Sequence, residues 1–321
     1  MNPNSPQLDE HGFPIPPTFS GVADTRGRAG QFGRYAWRTA LVIAFLALLG
    51  TAAVRHGFID RGKEMLAHQL LRRAWKSREQ DDLKGALANL DRAIAWAPDE
   101  PTAYHLRALC RLETNDVQGS LDDFNRLVAL AGRYVPAYTG RSTALQRLGR
   151  HREAIDDLTQ AIKLSPEHDP TPRNNRAYAR AIAGIELNEG LEDVNVALAL
   201  VQGELNAIPA AFDNRRTRHY RADVNRNKAM YLDTRGTVYL LLKEFEKALA
   251  DLDEAIALVD DAAREPQFEP SPFWRRQSAQ QMAVMYHHRG QIHQMLGHTE
   301  QANADLTRGQ ARGYNPAAGV Y

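Results

Sequence analysis

Six arginines in this chain each precede a small residue inside an otherwise apolar stretch: Arg73-Ala74, Arg107-Ala108, Arg141-Ser142, Arg176-Ala177, Arg235-Gly236 and Arg289-Gly290. A guanidinium is a planar fork of donors that matches carboxylate or phosphate. Such a series could be an anion-binding ladder or one half of a set of ion pairs. The residue sixteen positions on is Asn89, Asp123, Asp157, Asp251 or Asp305, and Asp193 lies seventeen beyond Arg176. Residues equally distant from the turn of a helical hairpin face each other, and the midpoint of Arg235 and Asp251 is Lys243, inside an expected turn. A free ladder would not need a carboxylate at a matching distance each time. The spacing therefore predicts structural pairs Arg107–Asp123, Arg141–Asp157, Arg176–Asp193, Arg235–Asp251 and Arg289–Asp305, with a neutral hydrogen bond between Arg73 and Asn89.

Other reactive residue types point to less. The four histidines of "HHRGQIHQMLGH" suggest metal binding, but His288, His293 and His298 are five apart, which places them on different faces of a continuous helix, so no metal is expected. The lone Cys110 reads as a core thiol rather than a nucleophile. "NRRTRHYRADVNRNK" (214–228) interleaves Arg215, Arg216, Arg218, Arg221, Arg226 and Lys228 with His219 and Tyr220. It could grip an anionic polymer or lipid, although charge runs are commonly just solvated. No Gly-rich phosphate loop, zinc-protease pattern or nucleophile elbow is present. Neither enzymatic activity nor a cofactor is expected. With 40 basic and 39 acidic residues the formal charge is +1, so no whole-chain attraction to nucleic acid or membrane is implied; nucleic acid is not an expected partner.

The elements that must position the arginines repeat. "GALANLDRAIAWAP" (85–98), "EAIDDLTQAIKLSP" (153–166) and "KALADLDEAIALVD" (247–260) share one amphipathic spacing, with weaker copies at 119–130, 189–200 and 301–312. The arginines upstream recur at intervals of 34, 34, 35, 59 and 54 residues, the last two lengthened by insertions. A 34-residue helix–turn–helix unit resembles the tetratricopeptide repeat. "AYTGRSTALQRLGRHREAIDDLTQAIKLSP" carries the pattern most fully, with Tyr138, Ser142, Gly149, Ala154, Leu158, Ala161 and Pro166; Leu232, Gly236, Phe245, Ala248, Leu252 and Ala255 carry it in the fifth unit. Departures are Ser120 and Leu127 in the second unit, one extra residue in the fourth turn, and Gly309 where the sixth should have Ala.

The resemblance implies an all-α solenoid, a right-handed superhelix of helix hairpins, over residues 59–316. Six repeats are expected at 67–100, 101–134, 135–168, 170–203, 229–262 and 283–316, with insertions at 204–228 and 263–282 and a C-terminal tail at 317–321. The stretch "REPQFEPSPFWRRQ" (264–277) reads as a Pro-containing loop. By the same resemblance, first helices line a concave groove that binds a peptide or protein partner. Its groove-facing slots fall on Trp75, His105, Leu109, Thr143, Gln146, Asn174, Tyr178, Thr237, Leu240, His287 and Gln291. The Lys- and Asn-rich carboxylate clamp of co-chaperone members is not reproduced.

Ahead of the repeats, residues 1–34 are a polar, Pro- and Gly-containing tail with no helical or strand period. "TALVIAFLALLGTAAV" (39–54) follows, uncharged and flanked by Arg38 and Arg55. With Tyr35, Trp37 and Phe58 as interfacial aromatics, residues 35–58 are expected to form one transmembrane helix. A cleaved signal peptide and an N-terminal core helix are the alternatives. The expectation is thus a single-pass membrane scaffold with its repeat domain on the non-cytoplasmic side. The competing reading is a soluble or secreted module that binds an anionic polymer or lipid through 214–228.

Overall fold

Helix starts and stops are written locally. Pro101, Pro136 and Pro172 sit in the first turn of their helices, where a missing N–H costs nothing. Asp82 and Asp116 cap the next helices, accepting from the Gly85 and Gly119 amides at 2.8 and 3.1 Å. The computed structural model describes residues 60–208, 214–263 and 272–314. Among these, every regular element is helical, and twelve helices form six hairpins. The pairs are α1 (residues 60–79) with α2 (Leu83–Trp96), α3 (Pro101–Glu113) with α4 (Val117–Leu130), and α5 (Val135–Arg147) with α6 (His151–Leu164). They continue with α7 (Thr171–Ala183) and α8 (Leu187–Ala207), α9 (Arg215–Leu241) and α10 (Phe245–Ala263), and α11 (Pro272–Met295) and α12 (Thr299–Ala311). Each hairpin packs on the next, giving a helical solenoid whose stability rests on neighbour interfaces.

Every turn passes through one left-handed residue: Asp81, Asn115, Gly149, Gly184, Lys243 and Gly297. The extra residue of the fourth turn is absorbed by a second, Glu186, at φ 50°. Gly309 is explained by close approach, because a Cβ there would lie 2.9 Å from the Ala283 carbonyl of α11. Apolar residues of α8 to α11, among them Val194, Tyr231, Leu252 and Met285, form the largest core cluster. Phe124, Leu127 and Leu145 anchor another between α3 and α6.

The arginines hold the stack in register. In each of five hairpins the Nε and Nη2 atoms donate to the two carboxylate oxygens of the facing Asp at 2.6 to 2.9 Å, from Arg107–Asp123 to Arg289–Asp305. These aspartates are 2% to 8% exposed, so the pairs act in a largely desolvated setting. The remaining Nη1 reaches back to the preceding hairpin. Arg107 reaches Asp91, Arg141 Asn125, Arg176 Thr159, Arg235 Asn195 and Arg289 Asp253, at 2.7 to 3.1 Å. Each acceptor stands two residues beyond the position that faces the arginine of its own hairpin. Burial alone would lower the Arg107 pKa, but its hydrogen bonds to Asp123 and Asp91 outweigh that and hold it above the ordinary value. The first hairpin differs: Asn89 donates to the Gly85 carbonyl at 2.9 Å, and Arg73 is exposed.

Three expectations need correction. A single-pass membrane localisation is not supported, because no helix among the described residues is long and apolar enough to cross a membrane. The segment 35–58 on which it rested lies outside the described residues. The expected loop at 264–277 is helical from Pro272 onward, and 264–271 lie outside the described residues. Finally, His293 and His298 do not diverge: α11 ends at Met295, the chain turns at Gly297, and the two Nδ1 atoms come within 3.2 Å. Five-residue spacing separates faces only while the helix continues.

Candidate functional site

The first helices of the last four hairpins enclose a cavity of about 470 Å³. From α5 it takes Ser142, Thr143, Gln146 and Arg147; from α7, Thr171, Asn174, Asn175, Tyr178 and Ile182. Helix α9 adds Met230, Tyr231, Asp233 and Thr234, and α11 adds Gln281 and Met285. The short α5 contributes from its middle and C-terminal turns, and α7 along its length from Thr171 to Ile182. The longer α9 and α11 contribute residues N-terminal to their arginines, so the cavity runs obliquely across the stack.

Its chemistry is set by polar groups sunk into an apolar frame. Asn174 and Gln281 are 7% and 8% exposed, yet Asn174 Oδ1 and Gln281 Nε2 have no hydrogen-bond partner within the protein. The same holds for Arg147 Nε, while the Nη1 of that residue donates to the Leu112 carbonyl at 2.8 Å and fixes the side chain. Burial lowers the Arg147 pKa. Asp233 is buried and meets His288 Nδ1 at 2.9 Å; Thr237 Oγ1 lies 3.3 Å from the same ring nitrogen. Burial, then the Asp233 and Tyr314 charges, push the Tyr178 phenol above its ordinary value, which keeps it a neutral hydroxyl. Thr143 spends its hydroxyl on the Thr139 carbonyl at 3.2 Å. Ile182 and Met230 are 42% and 39% exposed, and provide apolar surface at the rim.

Of the eleven groove positions read from the sequence, Thr143, Gln146, Asn174 and Tyr178 are brought together here. The others lie elsewhere. Trp75 is exposed on α1, with its indole donating to Glu79 at 2.9 Å. His105 sits on α3 against Tyr134, 3.3 Å from its hydroxyl, and burial followed by Arg78 lowers its pKa. Leu109 packs against the α3–α6 core. Thr237 is buried under His288, and Leu240 packs against the largest cluster, so neither faces the cavity. His287 is stacked on Tyr314 with ring centroids 3.9 Å apart, and Gln291 does not line the cavity. Sequence reading missed Arg147, Asp233 and Gln281. The available signal was a polar residue interrupting an apolar helical run, as Asp233 does in "YLDTRG".

The remaining candidates are occupied by structural contacts. The basic stretch forms the Asn214-capped first half of α9, where Arg226 pairs with Asp223 and Lys228 with Glu254, both at 2.7 Å. Tyr220 donates to Glu204 at 2.5 Å. A shallower depression of about 360 Å³ surrounds Arg150 and Glu153, which already satisfy each other at 2.6 Å. Cys110 is fully buried and its thiol is pushed up to about 11, chiefly by burial. Among the described residues no group of three or more His, Cys, Asp or Glu could hold a metal ion.

Against known families, residues 135–168, which span α5 and α6, match the tetratricopeptide repeat. No curated protein matches the chain. Among solved structures, the APC/C hetero-tetramer Cut9–Hcn1 is similar over 77% of this chain and 45% of that one, at 16% identity and a TM-score of 0.53. A tetratricopeptide repeat protein from Parabacteroides merdae covers 78% and 94%, at 16% identity and 0.45. YrrB, a TPR protein with an unusual peptide-binding site, covers 70% and 97%, at 20% identity and 0.42. At these identities the likeness concerns the fold alone, a tetratricopeptide-like helical solenoid.

Proposed function

We propose that this protein is an interaction scaffold, not an enzyme, and that it holds a peptide segment of a protein partner in the cavity between α5, α7, α9 and α11. The six hairpins are read as six repeats, the described extra residues at 204–207, 215–228, 263 and 272–282 serving to lengthen α8 to α11. One observation carries the reading: nine-tenths-buried Asn174 and Gln281, both lining the cavity between four hairpins, carry polar atoms with no partner within the protein. Native proteins rarely leave such groups unpaired, and a bound segment would answer them. An apolar rim at Ile182 and Met230 would cover the segment's aliphatic side chains.

The test uses the full chain and a random octapeptide display library, with affinities of selected peptides read by fluorescence anisotropy. The rim substitutions Ile182→Arg and Met230→Glu should each weaken binding roughly tenfold or more, the loss expected of an interface anchor. Trp75→Ala should leave it unchanged. Binding that survives both rim substitutions would refute the site.

A further inference from the structure

The polar atoms of the cavity also specify which group of a partner they fit, an inference that rests on the peptide-binding reading above. We infer that the cavity is a recognition subsite for a primary carboxamide, the side chain of a Gln or Asn in the bound segment. Three helices each present one unanswered group: the Arg147 Nε–H donor from α5, the Asn174 Oδ1 acceptor from α7 and the Gln281 Nε2 donor from α11. Two donors and one acceptor ask for a ligand with two lone pairs and an N–H. A carboxamide offers both, its oxygen taking the Arg147 and Gln281 hydrogens and its amino group donating to Asn174. Exchanging nitrogen and oxygen in both protein amides again leaves two donors and one acceptor, so the complement is the same.

The competitors each fail on a named atom. A carboxylate has no hydrogen for Asn174 and would add a second negative charge to a cavity that Asp233 already lines. An ammonium or guanidinium has no lone pair for Arg147 or Gln281 and would face the Arg147 cation. An aliphatic side chain would leave all three unanswered. The formal charges facing the cavity, one guanidinium from Arg147 and one carboxylate from Asp233, balance, which favours a neutral polar group. Buried Met285 and the rim residues Ile182 and Met230 would enclose its methylene stem.

The experiment sequences the library peptides retained by the full chain, then resynthesises one with Gln, Glu, Leu or Lys at the enriched position. Enrichment of Gln or Asn at one position is expected, and replacement by Glu, Leu or Lys should each weaken binding roughly tenfold or more. That preference should vanish in Asn174→Ala. It should also shift in Gln281→Glu, which keeps the shape but turns a donor into an acceptor: the Gln peptide should lose roughly tenfold and the Lys peptide should lose nothing. Circular dichroism confirms that both variants are folded. Retained peptides with no Gln or Asn preference, as recognition of backbone alone would give, overturn the carboxamide subsite and leave the peptide-binding reading standing. So does a preference unchanged in both variants. If no peptide is retained, both readings fall.

Discussion

Replacing Asp123 with Ala tests what holds the hairpins together. Asp123 is 3% exposed and accepts from Arg107 Nε and Nη2 at 2.9 and 2.6 Å and from Arg111 Nη1 at 2.7 Å. Its removal leaves two largely buried guanidiniums facing an apolar gap. Breaking a buried pair costs about 3–5 kcal/mol, whereas losing an exposed one costs under about 1. Arg107 retains Asp91 at 2.8 Å, and that side chain is 60% exposed, so the lower end applies, about 3 kcal/mol. Unfolding entropy near 60 °C is about 2.1 cal/mol/K per residue, or about 0.5 kcal/mol/K for roughly 250 residues, so the midpoint should fall by about 6 °C. Thermal melts followed at 222 nm measure this, with Asp91→Ala as the exposed control expected to cost under about 0.5 kcal/mol. A loss below about 1 kcal/mol for Asp123→Ala, or equal losses at both positions, would refute the assignment of the clasp to a desolvated pair.

Lys243 holds a positive φ of 63° at a turn position where three other hairpins use glycine, so Lys243→Gly should stabilise the chain by about 0.5–1 kcal/mol in urea titrations. Burial, then Arg78, holds His105 below its ordinary pKa. The unfolded chain therefore takes up this proton at a higher pH than the folded one. The contribution is fully present above about 6.5 and is lost as pH falls through the lower folded value, so unfolding free energy should drop between pH 7 and 5, with a shallower slope in His105→Phe. Cys110, fully buried and with its thiol pushed up to about 11, should react with a thiol reagent only on unfolding, so native labelling at neutral pH within minutes would contradict that burial.

The hairpins are legible in the sequence because the pattern that makes them is local. A small residue, then a large apolar one and an alanine at helical spacing can only bury one face against a paired helix. The sixteen-residue interval is equally local, since a three-residue turn fixes which residues of two helices face each other. The cross-hairpin half of each clasp is harder to see. Asp91, Asn125, Thr159, Asn195 and Asp253 share only a capacity to accept a hydrogen bond, and two of them lie across insertions. The cavity is harder still. Fixed groove slots assume first helices of equal length, as α5 and α7 are at 13 residues each. In α9 and α11, at 27 and 24 residues, the lining residues lie N-terminal to Arg235 and Arg289, so Asp233 and Gln281 face the cavity while Thr237 is buried under His288. The histidine spacing misled for a related reason, because a helix end lies between His293 and His298.

The central claim is that a partner peptide occupies the cavity between α5, α7, α9 and α11. Methionine reports on it directly. With ¹³C-methyl labelling, Met230 and Met285 line the cavity, whereas Met65 and Met295 are exposed at 62% and 66% and lie outside it. Titrating a library-selected peptide should move or broaden the Met230 and Met285 signals in proportion to occupancy and leave Met65 and Met295 in place. Saturable binding that shifts Met65 or Met295 while Met230 and Met285 stay fixed would contradict the account.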